Sequence, residues 1–262
     1  MLKAFSTAAT GMDAQQTMVD SIANNLANIN TNGFKRSQVN FQDLLYVKMR
    51  EAGREIASGV IAPSGLEIGS GVRMASTNKI FTVGELQNTG GELDVAIQGD
   101  GFFEVTLPDG SKRYSRDGAF QKDANGQLVT GSGYTVSPGI TIPSDAISVD
   151  IGIDGTVSVL VGGQDVPSSV GTIAMYRFPN SAGLSSEGEN LYRETAASGT
   201  AVSGTAGESG YGGLLSKFLE KSNVQMVNEL VNLITAQRGY EINSRCIRIG
   251  DNMLRKLNML IR

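Results

Sequence analysis

Two amphipathic stripes, one near each end of the chain, constrain the fold more than any other feature. Met1, Phe5, Ala8, Met12, Gln15, Val19, Ile22, Leu26 and Ile29 follow one another in alternating steps of four and three, interrupted only by the polar Gln15. That spacing lines one face of an α-helix in the a/d pattern of helices that pack along their length. Asp13, Gln16, Asp20 and Asn24 occupy the opposite side. The C-terminal stretch repeats the theme with Val224, Val227, Val231, Ile234, Ile242, Cys246, Ile249, Met253, Leu257 and Leu260, preceded by Ser222-Asn223 as a helix cap. Ile247, Leu254 and Ile261 widen this second stripe, so its helix needs more than one apolar neighbour. A lone amphipathic helix is marginal in water and becomes ordered by tertiary packing. The two termini are therefore expected to pair as a coiled coil and to seek further copies of the chain. Cys246, on the stripe, reads as a small core residue.

The middle of the chain differs in kind. From Asp94 to Phe178, short β-branched and aromatic runs alternate with Asp109-Gly110, Asn125-Gly126, Asp154-Gly155 and Gly162-Gly163, each a hairpin-type dipeptide. Their spacing predicts an antiparallel all-β domain of sandwich or barrel type. Residues 34–93 show no clear period and read as an extended connecting arm. Residues 199–213 hold six glycines and read as a flexible or extended return strand. The expected class is α+β, with three parts: terminal helices over 1–32 and 223–262, an arm over 33–93 and 199–222, and an outer β domain over 94–198.

Composition bounds the chemistry. The 262 residues include no histidine, which removes the commonest general base and zinc ligand. One cysteine allows no internal disulfide, and a formal charge of -4 argues against nucleic-acid binding. The Gly-x-Gly of Gln98–Val105 runs straight into strand residues, which suits a tight turn and not a phosphate loop. Asp123–Gln127 opens like a calcium loop, but its twelfth position is Tyr134, where a glutamate is needed. Ser115 and Thr7 have no histidine to activate them, and Glu187 and Glu189 sit in a Gly/Ser-rich loop. No catalytic, cofactor or metal site is expected, nor a small-molecule substrate. The N-terminal stretch lacks the apolar core of a secretory signal peptide.

The stretch "ANNLANINTNGFKR", residues 23–36, crowds Asn24, Asn25, Asn28, Asn30 and Asn32 where the first stripe ends. Asn32-Gly33 suits a helix stop with a left-handed residue. The earlier amides have two readings: buried hydrogen bonds to neighbouring helices that fix register, or fraying of the helix end. Arg245, Arg248, Arg255, Lys256 and Arg262 are expected either to complement the negative end of the last helix or to face a channel wall or another subunit.

These residues also carry a family likeness. "ANNLANINTNGFKR" resembles the N-terminal signature of the flagellar axial family, the rod and hook subunits. "DVAIQGDGFFEV", "YSRDGAFQKDANGQLVTGSGYTV", "GENLYRET" and "SNVQMVNELVNLITAQRGYEINSR" follow in the family's order across nearly the whole chain. The length and the segment 46–65, followed by "LEIGSGVR", are similar to the distal rod type, with a proximal rod or hook subunit as the alternative. The resemblance implies a hollow helical homopolymer that spans the periplasm and transmits torque from motor to hook. It implies proximal rod subunits below, hook subunits above, ring proteins of the periplasm and outer membrane around it, and delivery through the flagellar type III export apparatus. Assembly contacts are expected at Phe5, Met12, Val19, Ile22, Leu26, Ile29, Asn24, Asn25, Asn28, Val227, Val231, Ile234, Ile249, Met253, Leu257 and Leu260. The insertion 46–65, with Tyr46, Met49, Ile56, Val60 and Ile61, is implied to stiffen the rod.

Overall fold

The computed structural model describes residues 2–53, 55–57, 60–61, 63–162, 166–208 and 210–260, with 2, 55–57, 60, 61, 257 and 260 described through their backbone alone. The chain is α+β and folds as two compact units. One comprises Met1–Leu26, Ser37–Asn78 and Met226–Arg262; the other comprises Ala27–Arg36 and Lys79–Gln225.

The first unit holds both helices, α1 (Leu2–Ala27) and α2 (Met226–Leu260), each where a stripe predicts one. Among the described residues, neither is long and apolar enough to cross a membrane. α2 begins later than the expected cap: Asn223 instead accepts the amide of Arg36 at 2.8 Å and donates to Ile80 O at 2.8 Å. The aperiodic stretch after α1 forms paired strands. Ser37–Asp43 pairs with Val72–Lys79, and Val47–Arg50 pairs antiparallel with Leu66–Ile68. The segment 46–65 is thus largely a β-hairpin, continued by Glu55–Ala57 against Val60–Ile61. A hydrogen bond from Val72 N to Thr10 Oγ1 (3.4 Å) ties these strands to α1.

The second unit is the predicted antiparallel β region. Its largest sheet runs Phe120–Lys122, Leu128–Thr130, Thr135–Val136, Phe102–Thr106, Lys112–Ser115, Leu191–Arg193, Ser185–Gly188, with Met175–Arg177 joining Phe102–Thr106 and Val202–Gly204 at its side. A three-stranded sheet, Ala146–Ile151, Thr156–Val161 and Ser168–Thr172, supplies further core residues. Adjacent side chains on a strand point to opposite faces, so Phe103 and Phe102 serve different cores. Phe103 packs with Val95, Ile97, Val159, Ile173 and Met175, all buried. Phe102 packs edge-on against Phe178 and Phe81, beside Tyr114 and Tyr192.

The turn chemistry is as read from the sequence. Gly110, Gly126 and Gly155 all adopt φ near +80°, and each closes a hairpin between paired strands. Gly163 lies outside the described residues. Asp123 spends Oδ1 on the amides of Asn125 and Gln127, both at 2.8 Å, as a turn-forming aspartate does. Residues 199–213 contribute the extended strand Val202–Gly204.

α1 runs through Asn24 and Asn25 to Ala27, so these two amides do not fray its end. Asn25 is buried; its amide exchanges two 2.9 Å hydrogen bonds with the backbone of Ser37 and lies 3.4 Å from Glu229 Oε2 on α2. Asn24 is exposed, and Asn28 accepts the Thr31 hydroxyl at 3.2 Å just past the end of α1. Gly33 does have a left-handed φ of +67°, but it lies beyond the helix stop and serves another purpose. A Cβ there would come 2.7 Å from the Arg116 and Asp117 backbone. Only glycine lets the chain dock this closely. Asn190 holds the preceding carbonyl, Asn32 O, at 3.0 Å.

Candidate functional site

The residues expected to mediate assembly lie almost entirely on the first unit, and what α1 and α2 do with their faces defines the site. They touch through small and polar residues. A Cβ on Gly250 would come 2.5 Å from the Phe5 ring, one on Gly11 would meet Asn243 at 2.8 Å, and one on Gly239 would meet Gln15 at 3.1 Å. With Asn25 beside Glu229, α1 positions rise from 5 to 25 as α2 positions fall from 250 to 229. The helices therefore run antiparallel and in step for about 30 Å at 1.5 Å per residue.

Glu229, Ala236, Gly239, Asn243 and Gly250 recur at steps of seven, three, four and seven, so they share one face of α2. Glu229 and Ala236 are buried. Missing side chains at Gly239 and Gly250 allow the close approach, at the expense of helix propensity. Hydrophobicity alone does not find this face, because its members are small or polar.

The predicted apolar stripe of α2 lies on the outside. Val227 is 72% exposed, Ile234 58% and Ile242 61%, with Val231, Ile249 and Met253 also exposed. Cys246 is exposed as well, contrary to its expected place in a core. The a/d spacing predicts that this stripe closes on α1, but the small-residue face takes that place. The side chains of Leu257 and Leu260 lie outside the described set.

The seam of α1 is more enclosed. Ala8 and Ile22 are buried, as is Ala14 off the seam, and Phe5, Met12, Val19, Leu26 and Ile29 are partly covered. Val19 also lines a hollow of about 490 Å³ with Gln16, Gln237, Tyr240 and Glu241.

The hairpin of the first unit adds a second exposed apolar surface. Val47, Met49, Leu66 and Ile68 are exposed on strands only two wide, and Tyr46 is exposed just before the first of them. Such a ribbon is marginal alone in water and leaves unpaired edges. Ile56, Val60 and Ile61 have backbone strand geometry there, and their side chains fall outside the described set. The geometry as a whole has the attributes of a packing surface. Among the described residues, no group of three or more acidic or cysteine side chains is placed to hold a metal ion.

Comparison with known proteins defines the class. Residues 5–35 match the family described as flagella basal body rod protein, 96–159 the flagellar hook protein FlgE/F/G D1 domain, and 215–260 the flagellar basal body rod FlgEFG protein C-terminal region. The chain belongs to this family of flagellar rod proteins, a structural family and not an enzyme family. Within it, the similarity runs to flagellar basal-body rod proteins named FlgG. That of Buchnera aphidicola subsp. Schizaphis graminum is 52% identical over 96% of each chain. Those of Borreliella burgdorferi and Bacillus subtilis are 46% identical over the full length of both chains and 41% identical over 98% of each.

Proposed function

We propose that the chain is a structural subunit of the distal rod of the bacterial flagellum. In this reading it polymerises into a hollow helical shaft that spans the periplasm, carries torque from motor to hook and conducts exported subunits. Residues 1–32 and 223–262 line the inner tube as coiled-coil pairs, 33–93 and 199–222 form the arm, and 94–198 face outward toward the ring proteins. Proximal rod subunits lie below and hook subunits above. The subunit arrives through the type III export apparatus.

The observation that carries the reading is the exposed apolar stripe along α2. Burying apolar surface is worth about 25 cal/mol per Å², and an exposed stripe from Val227 to Met253 is a strong drive to associate. Contacts that join different patches on successive copies build a helix without closing. Val227, Val231, Ile234, Ile249 and Met253 are assigned to neighbouring copies, with Phe5, Met12 and Val19 completing the pockets that receive them. Asn25 sets the register of α1 against α2, and Asn24 and Asn28 meet adjacent subunits. Tyr46 and Met49, with Ile56, Val60 and Ile61 at the hairpin tip, wedge between subunits and stiffen the shaft.

Val231→Asp combined with Ile249→Asp tests the stripe. Polymerisation and motility should be lost while the isolated subunit keeps its circular dichroism. Filaments that survive both charges would end the assignment. Deleting 46–65 separates a distal rod, which should lose its straightness, from a proximal rod or hook subunit, which should not.

A further inference from the structure

Three charged side chains are sealed inside the second unit, and they come from distant parts of the chain. Lys35 follows α1, Arg116 follows strand Lys112–Ser115, and Glu220 ends strand Phe218–Glu220 shortly before α2. Lys35 Nζ is 2.5 Å from Glu220 Oε1, and Arg116 Nε is 3.0 Å from Oε2. The side chains of Lys35 and Glu220 are 0% exposed and that of Arg116 is 1%. Each oxygen of a single carboxylate thus serves one cation.

Further hydrogen bonds hold the three groups in place. Lys35 Nζ also donates to Thr82 O at 2.7 Å, and Gly84 N donates to Glu220 Oε1 at 2.8 Å. Arg116 donates to Gly99 O at 2.6 Å. Asp100 also acts on the charge of Lys35, and the Tyr192 phenol faces Arg116 and Glu220, its pKa raised by burial. Burial and the nearby Arg116 pull Lys35 down to about 8, against the opposing pull of Glu220. The cluster therefore holds two cations that repel each other, with Glu220 as the anion that both contact. The backbone of Glu220 adds an acceptor for Gly33 N at 2.8 Å.

Glu220 is separated from Arg116 by 104 positions and from Lys35 by 185. Before it is in place, docking residues 33–36 would bury two like charges without an anion between them. Removing one partner of a buried pair is strongly destabilising because the orphaned charge stays in low dielectric.

We propose that Lys35, Arg116 and Glu220 form a completion latch: the segment 33–36 leading out of α1 docks on the β unit only when Glu220, from the other end of the chain, arrives to neutralise both cations. An incomplete chain accordingly keeps this segment undocked, and a complete one locks the stretches flanking both helices to one point. The latch is internal to the second unit and holds whether or not copies of the chain stack.

Hydrogen exchange on the unassembled full-length chain tests it, comparing Glu220→Gln, Lys35→Met and the double variant. Glu220→Gln keeps shape and backbone but removes the anion. The amides of Gly33, Arg36 and Ile80 should then exchange about 100- to 1000-fold faster, the loss expected for an orphaned buried charge. The amides of Leu128, Ile142 and Ile173 should change by less than about tenfold, as sites outside a local opening do. Adding Lys35→Met removes one of the two orphaned cations and the repulsion between them, and should recover at least about tenfold of the lost protection although Arg116 stays unpaired. Unchanged protection of Gly33 and Arg36 in Glu220→Gln would overturn the latch. So would a double variant as open as the single one, because repulsion between the two cations would then play no part in holding the segment out. If Glu220→Gln does not fold at all, a folded double variant supports the proposal and an unfolded one refutes it.

Discussion

The two units treat their apolar side chains in opposite ways. In the second, Val95, Ile97, Phe103, Val159, Ile173 and Met175 are withdrawn completely from solvent, and strand Phe102–Thr106 is covered on both faces. In the helices of the first, the fully buried apolar residues among those described are Ala8, Ala14, Ile22 and Ala236, while Val227, Val231, Ile234, Ile242, Ile249 and Met253 stay in water. The β unit has closed its own core. The helical unit has closed only a narrow seam of small residues and kept its large ones outside. One chain thus combines a self-sufficient body with a surface whose energetics are completed elsewhere.

The largest effect that sharpens this contrast is Phe103→Ala. Phe103 is fully buried and stacks edge-on against Phe120 at 5.0 Å. Truncation should lower the stability of the β unit by about 3–5 kcal/mol, as for buried aromatics in general. Ile249→Ala, on the exposed stripe, should change the isolated subunit by under about 0.5 kcal/mol. Urea unfolding of the unassembled chain compares the two. Comparable losses would erase the distinction between closed core and open surface.

The buried charges of the β unit give a pH-dependent version of the same test. Lys35 is lowered from 10.5 to about 8 in the folded chain, chiefly by burial. Below about 8 the lysine is charged in both states and its burial costs stability. Above that, the folded chain gives up the proton while the unfolded chain keeps it until about 10.5, so stability rises with pH across the window. The slope approaches about 1.4 kcal/mol per pH unit for one proton. Lys35→Met should lack this rise. Denaturation of both chains between about pH 7.5 and 9.5 measures the difference, and parallel curves would mean that Lys35 does not titrate with unfolding.

In the helical unit, Gly250→Ala probes the narrow seam. Alanine improves helix propensity by about 1 kcal/mol. Its Cβ would lie 2.5 Å from the Phe5 ring, so the ring must move or the helices must part. Overpacking of this kind costs about 1–3 kcal/mol, so the net change is a modest loss of helix–helix contact. Gly239→Ala meets only the flexible Gln15 side chain at 3.1 Å and should come out neutral or stabilising. Thermal loss of helical circular dichroism ranks the pair. The reverse order would show that α1 and α2 do not meet at these glycines.

How much of this was legible in the sequence follows from the kind of signal each part leaves. Stripes at steps of three and four announced α1 and α2, and Asp109-Gly110, Asn125-Gly126 and Asp154-Gly155 announced three hairpins, because local geometry dictates residue type at those points. The inner face of α2 was not legible. Gly239, Asn243 and Gly250 carry no hydrophobic signal, so the sequence points the apolar stripe at α1 while the face of small and polar residues is what touches it. Cys246 was misplaced for the same reason. The hairpin around 46–65 leaves no alternating burial to read where it is described, since strands Val47–Arg50 and Leu66–Ile68 are exposed on both sides. Lys35, Arg116 and Glu220 were hidden by separation: nothing local marks a glutamate as the partner of a lysine 185 positions earlier. Among the expected assembly residues, Asn25 and the buried Ile22 have an internal role.

The smallest effect concerns a turn that neither core nor stripe depends on. Gly110 links strands Phe102–Thr106 and Lys112–Ser115, has φ of +80°, and a Cβ added to it would meet nothing within 4 Å. Gly110→Ala therefore introduces no clash, and only the left-handed backbone is penalised, by about 1–2 kcal/mol. Asp109 continues to hold the turn through the Ser111 amide at 2.8 Å. The β unit should lose about 1 kcal/mol in urea unfolding, at the low end of that backbone penalty, while assembly is untouched. A loss of polymerisation from this change would make the outer turn part of the subunit contact and move the open surface beyond the helical unit.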